Sequence, residues 1–162
     1  MRSHLTLLTF VLISLTAFAE DKQATITAGD APALSLTVPK EAKVTKKGDM
    51  TKIEAKHLWI YLWHVPNAKT VADAVPRVAT IIKSEFTDFT LTDSKNLKVA
   101  GNEAKHLFGK GAEADDGDPG TAEVVIFTDG KHVFAACVHG ERDEAAKERP
   151  DLLNILKTVK VL

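Results

Sequence analysis

The chain has 162 residues, 44% of them hydrophobic, and its 21 lysines and arginines nearly balance its 22 aspartates and glutamates. That length suits one domain with a core of its own, and the near-neutral balance excludes the basic excess that would draw it to nucleic acid or to an anionic membrane. A single cysteine, Cys137, cannot form an internal disulfide, so burial must stabilise the fold.

The first predicted element is a leader. Arg2 precedes an apolar run from Leu5 to Ala17, and Ala17-Phe18-Ala19 supplies the small-x-small pattern that signal peptidase cuts. The run is about a dozen residues long, whereas a bilayer-spanning helix needs about 20. Glu20-Asp21-Lys22-Gln23 then turns polar at once. Residues 1–19 therefore read as a cleavable signal peptide and residues 20–162 as a single globular domain. No cysteine stands at the cut to take a lipid, so the expected product is exported, periplasmic or extracellular, and soluble without a membrane anchor.

The next segments alternate. Residues 24–27 and 34–38 read as strands, the second presenting Leu34, Leu36 and Val38 on one face before Pro39 ends it. Residues 42–46 and 51–55 form a predicted hairpin across Lys47-Gly48-Asp49. In residues 57–65 both alternate sets are apolar or aromatic, with Trp59, Tyr61 and Trp63 on one face and Leu58, Ile60 and Leu62 on the other; this predicts a strand covered on both sides. The period then changes. Val71, Ala74, Val75, Val78, Ile81 and Ile82 form a helical stripe, and Thr70 with Asp73 resembles a capping box. Pro76 on the polar side predicts a late helix start or a kink.

Further strands are expected at 87–92, 97–100 and 102–108, with Gly101 as a turn or bulge, followed by an acidic, glycine-rich loop from Gly109 to Gly120. Residues 121–128 and 131–138 flank Asp129-Gly130, the preferred two-residue hairpin turn. A last helix is predicted from Pro150, with Leu152, Leu153, Leu156 and Val159 on one stripe. The expected class is α+β, an antiparallel-rich sheet with helices packed on it.

The order of these elements is similar to that of the PsbP-like family (PsbP/Mog type), an α/β/α sandwich found in exported proteins. The Leu36-Thr-Val-Pro39 strand, Val99-Ala-Gly101-Asn-Glu-Ala104, a hairpin with Gly130 at its turn and the ending Pro150-Asp-Leu-Leu-Asn-Ile-Leu-Lys-Thr158 carry the likeness across residues 34–160. The resemblance implies a binding or assembly module. It offers no catalytic residues to transfer.

Candidate chemistry is sparse. His57, His64, His106, His132 and His139 invite a metal reading with Cys137; Cys137 and His139 share a strand face, but His132 points the other way by parity. No Cys-x-x-Cys, His-Glu-x-x-His or His-x-x-x-His pattern completes a site. Glu113, Asp115, Asp116 and Asp118 suggest a calcium loop, yet Gly120 and Thr121 stand where an EF-hand register beginning at Asp116 needs a ligand and a glycine. Neither a serine elbow nor a phosphate-cradling glycine loop occurs. No catalytic, cofactor-binding or metal-binding residue is therefore assigned. The row Trp59, Tyr61, Trp63 is the expected ligand or partner patch if helices leave it open. The sequence thus favours an exported, non-catalytic binding or assembly module for a protein partner or small ligand. The competing class is an exported metal-binding protein or hydrolase-type enzyme that uses His/Cys or the acidic loop.

Overall fold

The alternating segments form strands and the 3.6-period segments form helices in the computed structural model, which describes residues 21–27, 29, 31–55, 58–114, 117–141 and 152–162. The leader, His57, Asp115, Asp116 and Pro150 lie outside the described residues, as does the side chain of His139. The elements are β1 (Asp21–Ile26), β2 (Leu34–Pro39), β3 (Lys43–Lys47), β4 (Met50–Ala55), β5 (Leu58–His64), α1 (Val71–Ser84), β6 (Phe86–Val99), β7 (Asn102–Glu113), β8 (Pro119–Thr128), β9 (Val133–Glu141), α2 (Leu152–Leu156) and β10 (Lys160–Val161). Among the described residues, seven strands form one sheet in the order β3-β4-β5-β9-β8-β7-β6, and β1-β2-β10 form a second. Every pairing described is antiparallel.

The alternation in β2 is realised as a strand whose Leu34, Leu36 and Val38 are buried while Ser35 and Thr37 face out. Those three residues, Ile26 and the α2 residues Leu152 and Leu156 fill the space against Ile53, Ile60, Leu62, Phe127 and Phe134 of the large sheet. The opposite face of the large sheet carries a second core, where Val71, Ala74, Val78 and Ile82 of α1 meet Trp63, Leu107, Val124, Ile126, Val133 and Ala135. The sandwich is therefore sheet-dominated: α1 covers one face, while the three-stranded sheet with the short α2 covers the other. The expectation of helices packed on a sheet holds in full only on the α1 side.

Helix α1 begins where its cap predicts. Asp73 N–H donates to Thr70 Oγ1 at 3.1 Å and Thr70 N–H donates to Asp73 Oδ2 at 3.0 Å, so two of the orphan amides at the helix start are satisfied. The helix starts at Val71 and continues through Pro76, which corrects the expected late start. Pro76 is exposed on the outer face, away from the buried stripe.

Three further expectations are corrected. Residues 87–92 and 97–100 belong to one long strand, β6, which keeps pace with β7 through register shifts between Thr87 and Thr90 and between Leu91 and Asp93. The segment from Gly109 to Gly120 is mostly strand: β7 reaches Glu113, β8 starts at Pro119, and Gly111 pairs with Gly120. Glycine there is a packing choice, because a β-carbon on Gly109 would stand 2.0 Å from the Phe89 ring and one on Gly120 would stand 2.8 Å from the Phe86 ring. Aromatic side chains from β6 occupy the places where β7 and β8 side chains would project. Where the two strands meet the rest of this segment, Glu113 N–H donates to the Asp118 carbonyl at 2.8 Å.

The β8–β9 hairpin closes through four residues rather than two, since Thr128 pairs with Val133. Asp129 drives the longer turn. Its Oδ1 accepts from the amides of Lys131 and His132, both at 2.7 Å, and its Oδ2 lies 3.0 Å from His132 Nδ1. Pairing moves by two positions, so the face of every β9 side chain is unchanged. The short β10, absent from the sequence reading, pairs with β2, and Thr37 N–H donates to Thr158 Oγ1 at 2.8 Å.

Candidate functional site

The α1 face of the large sheet gathers the side chains with functional potential. A 14-residue helix is about 21 Å long and roughly 10 Å wide with its side chains, whereas seven strands extend roughly 29 Å across. One helix cannot cover such a face. Among the described residues, two areas are left uncovered by α1, one along β5 and the other over β6 and β7.

Along β5, the row Trp59, Tyr61, Trp63 runs from solvent into the core. Trp63 is 5% exposed and packs beneath α1 in the second core, Tyr61 is half-buried, and Trp59 is 42% exposed. The structure therefore divides the row, placing Trp63 in the core and leaving Trp59 open. Lys52 on β4 lies with its Nζ 4.4 Å from the Trp59 ring centroid and 3.4 Å from Glu54 Oε2. A cation over an exposed indole contributes about 0.5–1 kcal/mol and presents the ring with a charged flank. The Trp63 indole Nε1 is buried without a hydrogen-bond partner among the described residues, which is costly for a polar N–H.

Over β6 and β7, a groove of about 370 Å³ opens between α1 and the bulged part of β6. Val75, Val78, Ala79 and Ile82 form its helix wall, and Leu107, Ala122 and Val124 form its floor. Phe89 lies across Gly109 at one side, Leu91 is 50% exposed at the rim, and Lys83 from the last turn of α1 stands at the edge. The groove exists because small residues, Ala79, Gly109 and Ala122, meet where helix and sheet diverge. It was hidden in the sequence because Gly109 to Gly120 read as a loop.

The titratable side chains are dispersed. His106 Nε2 lies 2.7 Å from Glu123 Oε1 on the face away from α1, with the two residues 5% and 8% exposed. This pair links β7 to β8 and gives each buried polar group a partner. One signal for it was legible: Glu123 is a lone carboxylate on the buried alternation Glu123, Val125, Phe127, and a buried charge requires a partner. His64 and His132 rings stand 5.8 Å apart beside Phe134, with His132 held by Asp129. Cys137 is buried, and desolvation, followed by the charges of Glu123 and Glu85, pushes its thiol up to about 12; it packs as a small apolar side chain. Among the described residues, no three His, Cys, Asp or Glu side chains converge on a point where a metal ion would fit. No helix of the described residues is long and apolar enough to cross a membrane.

Neither a protein-family model nor a curated protein matches the chain in sequence. Solved structures do match in three dimensions. Cyanobacterial PsbP (CyanoP) from Synechocystis shares 10% identity at a TM-score of 0.61, over 91% of this chain and 95% of its own. The Ran-binding protein Mog1p of Saccharomyces cerevisiae shares 9% identity at a TM-score of 0.55, over 88% and 96% respectively. A protein of unknown function from Pseudomonas aeruginosa, PA94, shares 12% identity at a TM-score of 0.52, over 84% and 94%. At such identities the likeness concerns the fold. The chain adopts the PsbP/Mog1 fold.

Proposed function

We propose that this chain is an exported, non-catalytic binding module that docks a protein partner on the open end of its α1-side sheet face, with Trp59 at the centre. The observation that carries this reading is the division of the aromatic row: Trp63 anchors β5 in the core while Trp59, in line with it, is 42% exposed and flanked by Lys52. A rigid strand that presents a large amphipathic ring beside a cation has the composition of an interface anchor, since aromatic side chains dominate the energetics of buried contacts. The fold is compatible with such a role, because Mog1p is a protein of this fold that binds Ran. Export is proposed on the sequence alone, where the apolar run from Leu5 to Ala17 ends in Ala17-Phe18-Ala19, the pattern that signal peptidase cuts.

The test is retention of a partner on the immobilised protein from extracts of its own cells. The native protein and Lys95→Ala, which alters an exposed residue on the opposite sheet face, should retain the same partner, and Trp59→Ala should lower its recovery about tenfold or more. Equal recovery by Trp59→Ala would refute this site. Terminal sequencing of the protein from those cells should begin at Glu20, and an intact Met1 would refute export by cleavage.

A further inference from the structure

We propose that the groove between α1 and the bulged β6 binds a free anionic amphiphile, an alkyl chain ending in a carboxylate, with the chain along the apolar floor and the head group at Lys83. Three observations converge. The volume of about 370 Å³ lies within the roughly 300–1,000 Å³ typical of small-molecule sites. The part of the lining that the core leaves exposed to water is apolar, with Val75 and Ala79 on the helix side and Phe89 and Leu91 on the β6 side, so a ligand there gains by leaving water rather than through hydrogen bonds. The charge on the lining is of one sign: Lys83 is exposed at the edge, has no ion-pair partner among the described residues, and no carboxylate lines the groove. An apolar slot with one cation at its mouth selects a molecule with the complementary division, an alkyl tail and a single negative head.

The geometry also accounts for how the slot stays open. Phe89 is laid over Gly109, where a side chain would collide with the ring, so the ring lies flat on β7 at the side of the groove. The left-handed backbone at Asp88, with φ of 55°, and the adjoining register shifts carry β6 around this point. Trp59 does not line the groove, so this site is independent of the partner-docking reading.

The test titrates the protein, as purified from its cells, with dodecanoate below its micellar concentration and compares dodecanol and dodecyltrimethylammonium. The expected result is saturable binding of one dodecanoate per chain, tighter than the alcohol and tighter again than the cation. Lys83→Glu should reverse the order of the carboxylate and the ammonium. Ala79→Trp, which fills the groove, should weaken all three about tenfold or more, while Trp59→Ala should leave dodecanoate binding unchanged. Absence of saturable binding, an unchanged head-group order in Lys83→Glu, or binding only to phosphatidylglycerol vesicles would overturn the proposal. If Ala79→Trp does not fold, Lys83→Glu decides alone, because its site is exposed at the end of the helix.

Discussion

The two faces of the seven-stranded sheet are closed by different means. On one, β1, β2 and α2 lay a second layer of large side chains against Phe127 and Phe134, whose rings stack 5.5 Å apart. On the other, α1 is the one covering helix among the described residues and is too narrow for the sheet; Trp59 and Leu91 are exposed, and Gly109 and Ala122 lie in the outer part of the sheet face. The sheet-covered face is built for stability, because close packing makes each buried side chain costly to shorten. The helix-covered face retains the apolar surface that binding requires.

This contrast sets the scale of mutational effects. Phe127→Ala should remove about 3–5 kcal/mol, as large-to-small changes in closed cores do. Leu91→Ala on the groove rim should change stability by less than about 0.5 kcal/mol. Urea unfolding of both variants measures the difference, and comparable losses would mean that the α1 face is packed as tightly as its counterpart.

The glycine floor gives the next largest effect. A β-carbon at Gly111 would stand 2.9 Å from the Thr87 carbonyl oxygen and 3.2 Å from Phe89 Cα, both backbone atoms, whereas at Gly109 it would meet the far end of the Phe89 ring. A ring can rotate away; a strand cannot. Gly111→Ala should therefore cost about 1–3 kcal/mol, and Gly109→Ala less. Thermal melts compare them, and Phe89→Leu should relieve the cost at Gly109 while leaving the cost at Gly111.

The smallest effect is a pH dependence that touches both faces, since it acts on the hairpin joining β8 to β9. Burial raises the Asp129 carboxyl, but hydrogen bonds from the His132 and Lys131 amides and from the His132 side chain outweigh it and hold the group below its ordinary 3.8. A lowered folded-state value stabilises the protein above the ordinary carboxylate value, and this contribution is lost as the pH falls through the folded value. Asp129→Asn should therefore lower the urea midpoint near neutral pH, and the gap from the native protein should shrink below about pH 4. A gap that stays constant with pH would assign the effect to geometry rather than charge.

The sequence made visible what depends on neighbours along the chain. The capping box at Thr70 and Asp73, the turn at Gly48 and the β2 alternation carry local signatures that the structure follows, whereas β5, expected to be covered on both sides, is so covered only at its Leu62–Trp63 end. It concealed what depends on partners far away. Glycines 109, 111 and 120 read as loop because nothing local shows that Phe86 and Phe89 lie over them. One miss was local: Asp-Gly read as a two-residue turn, although Asp129 accepts from the amides of Lys131 and His132 and so holds four residues in the loop. The candidate site was legible as an aromatic row, but how far α1 extends over that row is a matter of tertiary geometry. Trp59 is open and Trp63 closed for that reason.

The central claim is that the open end of the α1 face is the working surface. Its most direct test is photo-crosslinking in the native cell, with a photoreactive amino acid placed at position 59 or at position 95 on the opposite face. A discrete adduct with one other protein from position 59, absent from position 95, is the expected result; no adduct from position 59, or the same adduct from both positions, would contradict it.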